Sequence, residues 1–173
     1  MTDRLTRIAA GLERAFAAQG FAEPSVDDLK SAAGVSLRTL YKYAPSRDAM
    51  VRIALEHRHR RYLEQVFADL PAEPEPALST MIDRIAAWMA REASHGCLFH
   101  AAVAAAPQDQ WLRALLEKHK AEVAARAAKA ADLPGREADL TVIFEGLTQS
   151  WPLLGEFAVV SAKRLSAGLK TAA

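Results

Sequence analysis

The strongest constraint on the fold comes from residues 34–43, whose sequence is GVSLRTLYKY. Gly34 can adopt the left-handed backbone conformation that ends one helix and turns the chain sharply. Ser36 can cap the helix that follows, because its side-chain oxygen can accept a hydrogen bond from a backbone N–H in the first turn. The stretch therefore predicts the end of one helix, a tight turn and the start of another.

The second of these helices divides its residues between two faces. Arg38, Tyr41 and Lys42 fall at i, i+3 and i+4 and share one face, whereas Leu40 and Ala44 share another. The helix is thus expected to be anchored on its apolar side and to present cations and a phenol on the other. A helix that meets base edges and phosphates needs this division.

The preceding segment predicts a partner helix. Residues 25–28, with the sequence SVDD, resemble a capping box in which Asp28 takes the position more often filled by Glu. Val26, Leu29 and Ala33 then recur at helical spacing and form an apolar stripe. A two-turn helix, a turn containing Gly and a second short helix together predict a helix-turn-helix motif.

Residues 5–55 resemble the DNA-binding domain of the TetR family of bacterial transcriptional repressors. Two positions depart from the family pattern: Arg38 stands where Gly is frequent, and Ala44 stands where Phe is usual. The features that carry the resemblance are an amphipathic first helix ending in Gly20-Phe21, then Ser25-Val26-Asp27-Asp28-Leu29, Ala33-Gly34-Val35-Ser36, Thr39-Leu40-Tyr41-Lys42-Tyr43 and Ser46-Arg47-Asp48-Ala49-Met50.

The resemblance implies that residues in and beside the third helix contact DNA. The candidates for contact with base edges are Leu37, Arg38, Thr39 and Lys42. The candidates for contact with phosphates are Ser25, Ser36, Tyr41, Tyr43 and Arg47.

Physical chemistry supports some of these roles and leaves alternatives for others. An arginine can bond a guanine with two hydrogen bonds, and Leu37 or the methyl group of Thr39 can rest on a thymine methyl. Each candidate also has a purely structural interpretation. The two serines can serve only as helix caps, Tyr43 can fill space over the first helix, and the three cations can be solvated surface residues.

Composition limits the class of protein. A chain of 173 residues forms one large or two small domains. One cysteine, Cys97, excludes an intramolecular disulfide framework and is typical of a reducing compartment. There is no apolar signal region at the N-terminus and no run of about 20 apolar residues, so the cytoplasm is expected. Residues 1–64 carry 11 Lys or Arg and 8 Asp or Glu, a modest basic excess that fits phosphate binding without establishing it.

Hydrophobic periodicity predicts an all-α protein of about nine helices. We divide it into a three-helix helix-turn-helix domain (1–45), a long connecting helix (46–70) and a C-terminal ligand-binding and dimerisation domain (71–173). The expected remaining elements are helix one over 3–19, a rigid linker at Pro71, Pro74 and Pro76, helix five over 78–93, helix six over 96–106, helix seven over 109–131, helix eight from near Leu140 until Pro152 and Gly155 break it, and helix nine over 156–169.

The C-terminal domain has fewer signals. The resemblance implies an inducer pocket, mostly apolar with a few polar anchors, and long helix four would couple it to the DNA-binding domain. An aromatic residue or methionine at helical spacing is more often plain core. The pocket candidates are Tyr62, Trp88, Met89, Cys97, Phe99, His100 and Trp111, with Arg58 and His59 as further possible anchors.

A dimer is expected because two copies of the third helix, held about 34–36 Å apart, fit successive major grooves of a pseudo-palindromic site. In this family two helices of each subunit form a four-helix bundle. The stripe on helix eight suits such a bundle, although it could equally be buried inside its own subunit. Its residues are Leu140, Ile143, Phe144, Leu147 and Trp151.

Two further classes of protein are less favoured. Cys97 is near His95 and His100, so a thiol–imidazole pair or a metal site can be imagined, but no Gly-rich phosphate loop, acid pair or fourth metal ligand is evident. We predict no catalytic residue, no metal and no cofactor. The expected protein is a homodimeric repressor that binds operator DNA, does not span a membrane and is released by a small, largely apolar effector. A constitutive repressor and a metal-responsive regulator are the alternatives.

Overall fold

A computed structural model describes residues 3–93 and 96–170 of the chain. Within these residues the secondary structure is entirely helical, and the predicted all-α fold of nine helices is confirmed. The elements are α1 Asp3–Gln19, α2 Val26–Ala33, α3 Leu37–Tyr43, α4 Arg47–Phe67, α5 Pro74–Glu92, α6 Leu98–Ala105, α7 Gln110–Ala130, α8 Glu137–Leu154, α9 Glu156–Ala167 and a final 3-10 turn Gly168–Lys170.

Contacts divide the chain into two compact units. The N-terminal unit contains the described residues up to Arg61 together with Leu98–Arg113, and the C-terminal unit contains the others. The boundaries that the sequence suggests at residues 45 and 70 remain predictions.

The helix-turn-helix motif forms as the sequence predicts. Ser25 and Asp28 form the capping box of α2, since the Ser25 side chain accepts from Asp28 N and the Asp28 carboxylate accepts from Ser25 N. Gly34 ends α2 in the left-handed conformation, with φ of 64°. Five apolar side chains are completely buried around the motif: Ile8, Leu12, Phe16, Leu29 and Leu40. The packing of α1 on α2 thus holds the turn and α3 in place.

The long helix α4 begins after Ser46, whose hydroxyl accepts a hydrogen bond from Ala49 N at 3.1 Å. It ends at Phe67, three residues before the predicted end. The guanidinium of Arg84, on α5, donates to the carbonyls of Val66 and Ala68 at this end. These carbonyls have no partner within the helix, so an arginine from a neighbouring helix satisfies them.

The predicted proline linker is wrong in part. Helix α5 begins at Pro74, so Pro74 and Pro76 lie in its first turn. A proline is tolerated there because the N–H that it lacks would have no partner inside the helix. The linker is therefore shorter than the sequence suggests, and α5 presents a longer apolar face.

The end of α8 differs from expectation, whereas the cap of α7 does not. Pro152 does not break α8, which continues to Leu154 and ends at Gly155, where φ is 50°. Because Pro152 lies within the last turn, its missing N–H removes a single hydrogen bond near the end of the helix. Asp109 caps α7 as predicted, and its Oδ1 accepts from Trp111 N at 2.9 Å and Leu112 N at 3.2 Å.

The core of the C-terminal unit lies where α5, α8 and α9 pack together. Completely buried residues of α5 and α8, among them Met81, Ile82, Ile85 and Leu140, form its centre. No helix in the described part of the chain is long and apolar enough to cross a membrane.

Candidate nucleic-acid interface

The short helix α3 is anchored by one residue and exposes most of the others. Leu40 is completely buried, whereas Arg38 and Lys42 are exposed. Leu37 and Tyr41 are large hydrophobic residues that remain 43% and 42% exposed. The face thus combines two cations, an aliphatic side chain and a phenol, which together can meet phosphates, base edges and thymine methyl groups.

Ser36 and Thr39 form the cap of α3. Ser36 Oγ accepts a hydrogen bond from Thr39 N at 3.2 Å and lies 2.9 Å from Thr39 Oγ1. The exposed hydroxyl of Ser36 is therefore engaged within the protein. Its structural role as a cap is established by this geometry, and its contact with phosphate remains a prediction.

Ser25 is engaged in the same way at the start of α2. Asp28 Oδ2 lies 2.6 Å from Ser25 Oγ and 2.9 Å from Ser25 N. The hydrogen bond from the Ser25 hydroxyl, and then the one from its backbone N–H, lower the pKa of the Asp28 carboxyl. The geometry establishes Ser25 as the cap of α2, and its contact with phosphate remains a prediction.

Arg47 is engaged within the protein, and its contact with phosphate remains a prediction. Arg47 Nη1 donates to Pro24 O at 2.8 Å, and Nη2 donates to Phe21 O at 2.7 Å. The guanidinium carbon also lies 5.9 Å from the ring centroid of Phe16. Arg47 therefore fastens the start of α4 to the loop between α1 and α2. The N–H donors of its guanidinium point at backbone carbonyls of the same protein. The sequence does not show these contacts, because the carbonyls belong to residues more than 20 positions away.

Tyr43 and Ala44 lie at the C-terminal end of α3. Tyr43 is half-buried and Ala44 is completely buried. The alternative in which Tyr43 fills space is compatible with this position. The small residue at position 44 belongs to the core beneath α3.

A buried cluster of charges was not predicted from the sequence. Glu13, on α1, is only 2% exposed. Its Oε2 lies 2.7 Å from His57 Nδ1, and its Oε1 accepts from Arg58 Nη1 at 2.9 Å and Arg61 Nη1 at 2.8 Å. Two features of the sequence point to this cluster. One is a carboxylate on the apolar face of α1, and the other is a basic run that interrupts the apolar stripe of α4.

Opposite effects set the pKa of Glu13. Burial raises it, while the hydrogen bond with His57 and the charges of Arg58 and Arg61 lower it, and the lowering effects prevail. Glu13 is thus held as a carboxylate inside the N-terminal unit, where it ties α1 to α4.

The seven candidate pocket residues do not form one group. Tyr62, Trp88, Met89 and Cys97 belong to the C-terminal unit, whereas Phe99, His100 and Trp111 belong to the N-terminal unit. Trp88 and Met89 are only 2% and 1% exposed and lie in the core. Their contact with a ligand remains a prediction.

Tyr62, in the C-terminal unit, contacts two other rings and a small cavity. Its ring makes edge contacts with Trp88 and His119, at centroid distances of 5.3 Å and 5.1 Å. It also lines a small cavity of about 10 Å³, which holds no more than one water molecule. At the wall of this cavity Lys120 forms an ion pair of 2.5 Å with Glu145.

Cys97 and Trp111 have identifiable neighbours in their own units. Lys120 Nζ lies 3.5 Å from Cys97 Sγ. The Arg52 guanidinium stacks on Trp111, with 4.5 Å from Cζ to the ring centroid. His95, one of the residues considered for a thiol–imidazole pair or a metal site, lies outside the described residues. Within residues 3–93 and 96–170 no group of three or more His, Cys, Asp or Glu side chains is arranged to hold a metal ion.

For the predicted dimer residues, the structure shows burial within the protomer, which is the alternative considered above. Leu140, Ile143, Phe144 and Leu147 are buried inside their own C-terminal unit, and Trp151 packs against the same core. The stripe on α8 is thus an internal face. A different set of large apolar residues on α8 and α9 is exposed: Val142, Leu153, Leu154, Phe157, Val160 and Leu165.

The capped α2, the left-handed turn at Gly34 and the two-faced α3 define a helix-turn-helix protein. The sequence profile described as "Bacterial regulatory proteins, tetR family" matches residues 8–53. The HTH-type transcriptional regulator EthR of Mycolicibacterium smegmatis is 33% identical over 84 residues, which cover 47% of this chain and 39% of that protein. Residues 8–53 therefore carry the DNA-binding domain that is typical of the TetR family of bacterial transcriptional regulators.

Solved structures share the whole architecture. A TetR transcription regulator from Haloarcula marismortui has a TM-score of 0.81 at 14% identity and covers 99% of this chain and 98% of its own. A TetR-family transcriptional regulator from Streptomyces coelicolor has a TM-score of 0.76 at 20% identity, with 98% and 95% covered. At these identities the likeness establishes the fold alone. The alignment with EthR spans about two fifths of that relative's length.

The family and these relatives are transcriptional regulators rather than enzymes. The thiol–imidazole alternative for Cys97 is therefore set aside.

Proposed function

We propose that this protein is a homodimeric transcriptional repressor that binds a pseudo-palindromic DNA operator through α3. The observation that carries the proposal is the exposed face of α3. Arg38 and Lys42 supply positive charge on this face, and Leu37 and Tyr41 supply apolar and aromatic surface. The buried side chain of Leu40 anchors the opposite face of α3, and Ser36 caps its N-terminus.

The chemistry of this face suits a duplex. A guanidinium can bond the O6 and N7 of guanine, and an aliphatic side chain can pack on a thymine methyl. A helix of only seven residues offers few contacts, so two copies bound one helical turn apart would be needed for specificity.

The exposed apolar residues of α8 and α9 support the homodimer. Phe157 and Leu153 are 77% and 85% exposed, an unusual state for large apolar side chains in a monomer. On α8, Val142, Gly146 and Leu153 lie on one face at helical spacing, and no atom lies near the space that a Cβ of Gly146 would occupy. A second copy of the same face would cover this surface and keep two α3 helices together.

Selection of bound sites from a random DNA pool tests the proposal. The purified protein would be used at two salt concentrations. The expected result is a two-fold symmetric motif whose enrichment survives the higher salt. Recovery of unselective DNA that dissociates steeply with salt would contradict sequence-specific binding, because contacts with phosphates alone are strongly salt-dependent.

Release by an effector is the remaining part of the proposal, and the match of residues 8–53 to the TetR-family profile supports it. A small, largely apolar ligand would bind the C-terminal unit and favour a state with low affinity for DNA. Such a ligand must bind that state more tightly, because equal affinity for both states shifts nothing. A panel of apolar compounds should contain one that raises the melting temperature and releases DNA. A panel in which no compound does both would favour a constitutive repressor.

A further inference from the structure

Three arginines of α1 lie on one face of the helix and line one groove. Arg4, Arg7 and Arg14 are spaced i, i+3 and i+10, so they fall within a narrow stripe. All three are exposed and line a groove of about 550 Å³ in the N-terminal unit. None of the described residues that line it is acidic.

The opposite wall of the groove is the turn of the helix-turn-helix motif. It is formed by the last residues of α2, by Gly34 and by Ser36 and Thr39 at the start of α3. The residues that cap and flank α3 therefore also border the arginines of α1. A strand of DNA backbone beside α3 would pass close to these arginines.

Gly11 explains why α1 comes so close to this turn. A Cβ at position 11 would lie 2.2 Å from the carbonyl oxygen of Ala32 and 2.6 Å from the Cα of Ala33, distances that no side chain can occupy. Gly11 lies in the same stripe, between Arg7 and Arg14. The two backbones thus touch at Gly11, with arginines before and after the contact.

The arginines are only weakly engaged within the protein. Arg7 Nε lies 3.5 Å from Asp3 Oδ2, and both side chains are highly exposed, so this ion pair contributes little stability. Arg14 Nη2 donates to Ala32 O at a long 3.4 Å. Three guanidiniums with few competing acceptors suit a phosphodiester, because a guanidinium matches two phosphate oxygens at once.

We propose that the α1 groove binds the phosphate backbone of the DNA duplex whose bases α3 contacts. The inference rests on the proposed function and adds a second contact region to it. Arg4, Arg7 and Arg14 anchor the N-terminal unit on the duplex without reading sequence, since phosphate contacts fix register and orientation and carry no base information. Arg38 and its neighbours on α3 then determine which sequence is preferred.

A salt titration tests the assignment. The double variant Arg7→Gln/Arg14→Gln and wild type would be titrated with selected and random duplexes by fluorescence anisotropy. The slope of log K against log salt concentration should become shallower by about 0.9 for each phosphate that the variant no longer neutralises. Affinity for both duplexes should fall by a similar factor, and the selected motif should stay the same.

Matched variants separate this effect from a general change of charge. Arg91→Gln, at an exposed arginine of α5 in the C-terminal unit, should leave the slope unchanged. Arg7→Lys/Arg14→Lys should retain most of the wild-type slope, because the positive charges remain. Because Arg14 bonds Ala32 O, helix content would be checked by circular dichroism. If the double glutamine variant is misfolded, Arg4→Gln/Arg7→Gln takes its place.

Three results would overturn the inference. The first is a salt dependence that is the same in the glutamine variants and in wild type, while wild type still selects a motif. This result would contradict the phosphate contact at α1 and would still support DNA binding by α3. The second is an altered base preference, which would make the arginines contacts with bases. The third is wild-type protein that binds no DNA, which would remove the proposed function and this inference together.

Discussion

Nδ1 of His57 lies 2.7 Å from Oε2 of Glu13 and so joins α4 to α1 in the interior of the N-terminal unit. The same carboxylate accepts from Arg58, which is 3% exposed, and from Arg61 at its outer side. Three side chains of α4 thus converge on one acid of α1. The position of α1, and of the motif that packs on it, depends on this carboxylate.

Replacement of Glu13 by glutamine should strongly destabilise the protein. The variant Glu13→Gln keeps the shape of the side chain and removes its charge, so Arg58 and Arg61 lose the carboxylate they donate to. Removal of one partner from a buried ion cluster typically costs about 3–5 kcal/mol. Urea unfolding followed by circular dichroism measures the change. The matched control is Glu23→Gln at an exposed position, where a change within about 0.5 kcal/mol is expected.

The same carboxylate predicts how stability depends on pH. The pKa of Glu13 in the folded protein lies below its ordinary value of 4.5. The unfolded chain therefore takes up a proton at higher pH than the folded chain, and the stabilisation by Glu13 is complete only above that ordinary value. It should be lost as the pH falls through the lower folded pKa.

The measurement is the difference in unfolding free energy between wild type and Glu13→Gln from pH 5 downwards. This difference should be constant near pH 5 and should shrink below about pH 4.5. His57, Arg58 and Arg61, which face the Glu13 carboxylate in wild type, are retained in the variant, so the two proteins differ only at position 13. A difference that grows on acidification would contradict the predicted sign.

The Glu13 cluster illustrates what the sequence can reveal. Helical spacing of apolar residues predicted α1 and α4, and Ser25, Gly34 and Ser36 predicted the motif, because these signals act within a few residues of chain. The pairing of Glu13 with His57 joins residues 44 positions apart. Periodicity shows which residues of a helix share a face, but it does not show which residues of a distant helix contact them. The sequence therefore shows the buried acid of α1 and the basic run of α4, but not that the two are paired.

Arg47 should prove to be a structural residue. Its two hydrogen bonds to the carbonyls of Phe21 and Pro24 hold the loop between α1 and α2. Arg47→Ala should lower the free energy of unfolding by about 1.5–3 kcal/mol, since the variant lacks these hydrogen bonds from a charged group. Arg47→Lys should recover only part of this stability, because one ammonium cannot reproduce the planar fork. Wild-type stability in Arg47→Ala with weakened DNA binding would restore the phosphate role.

Arg38 should show the opposite behaviour. Arg38→Ala should leave the unfolding free energy nearly unchanged, because the side chain is exposed. It should weaken binding to the selected motif by about 1–3 kcal/mol and relax the preference at one base position. Anisotropy titrations on the motif and its single-base variants measure both effects. Lys129→Ala, an exposed lysine of α7, is the control. Equal losses on specific and random DNA would make Arg38 a phosphate contact.

The C-terminal unit shows where periodicity is ambiguous. Leu140, Ile143, Phe144 and Leu147 form a regular stripe, which indicates a buried face but does not indicate what covers it. In the structure α5 and α9 cover it. The exposed apolar residues are divided between α8 and α9, so neither helix alone shows the whole surface. The sequence alone therefore left open whether this stripe is buried within one subunit or between two, and the structure shows that it is buried within the protomer.

Phe157 provides the test of this exposed surface. Phe157→Glu places a charge among the exposed apolar residues of α8 and α9, where a partner subunit would have to bury it without a counter-charge. The dimer dissociation constant, measured by analytical ultracentrifugation, should rise by about thirtyfold or more, equivalent to about 2 kcal/mol. Helix content should be retained, because the side chain is 77% exposed in the protomer. The control Ala121→Glu adds the same charge at an exposed position of α7 and should leave the dimer intact. A Phe157→Glu protein that dimerises as tightly as wild type would place the interface elsewhere.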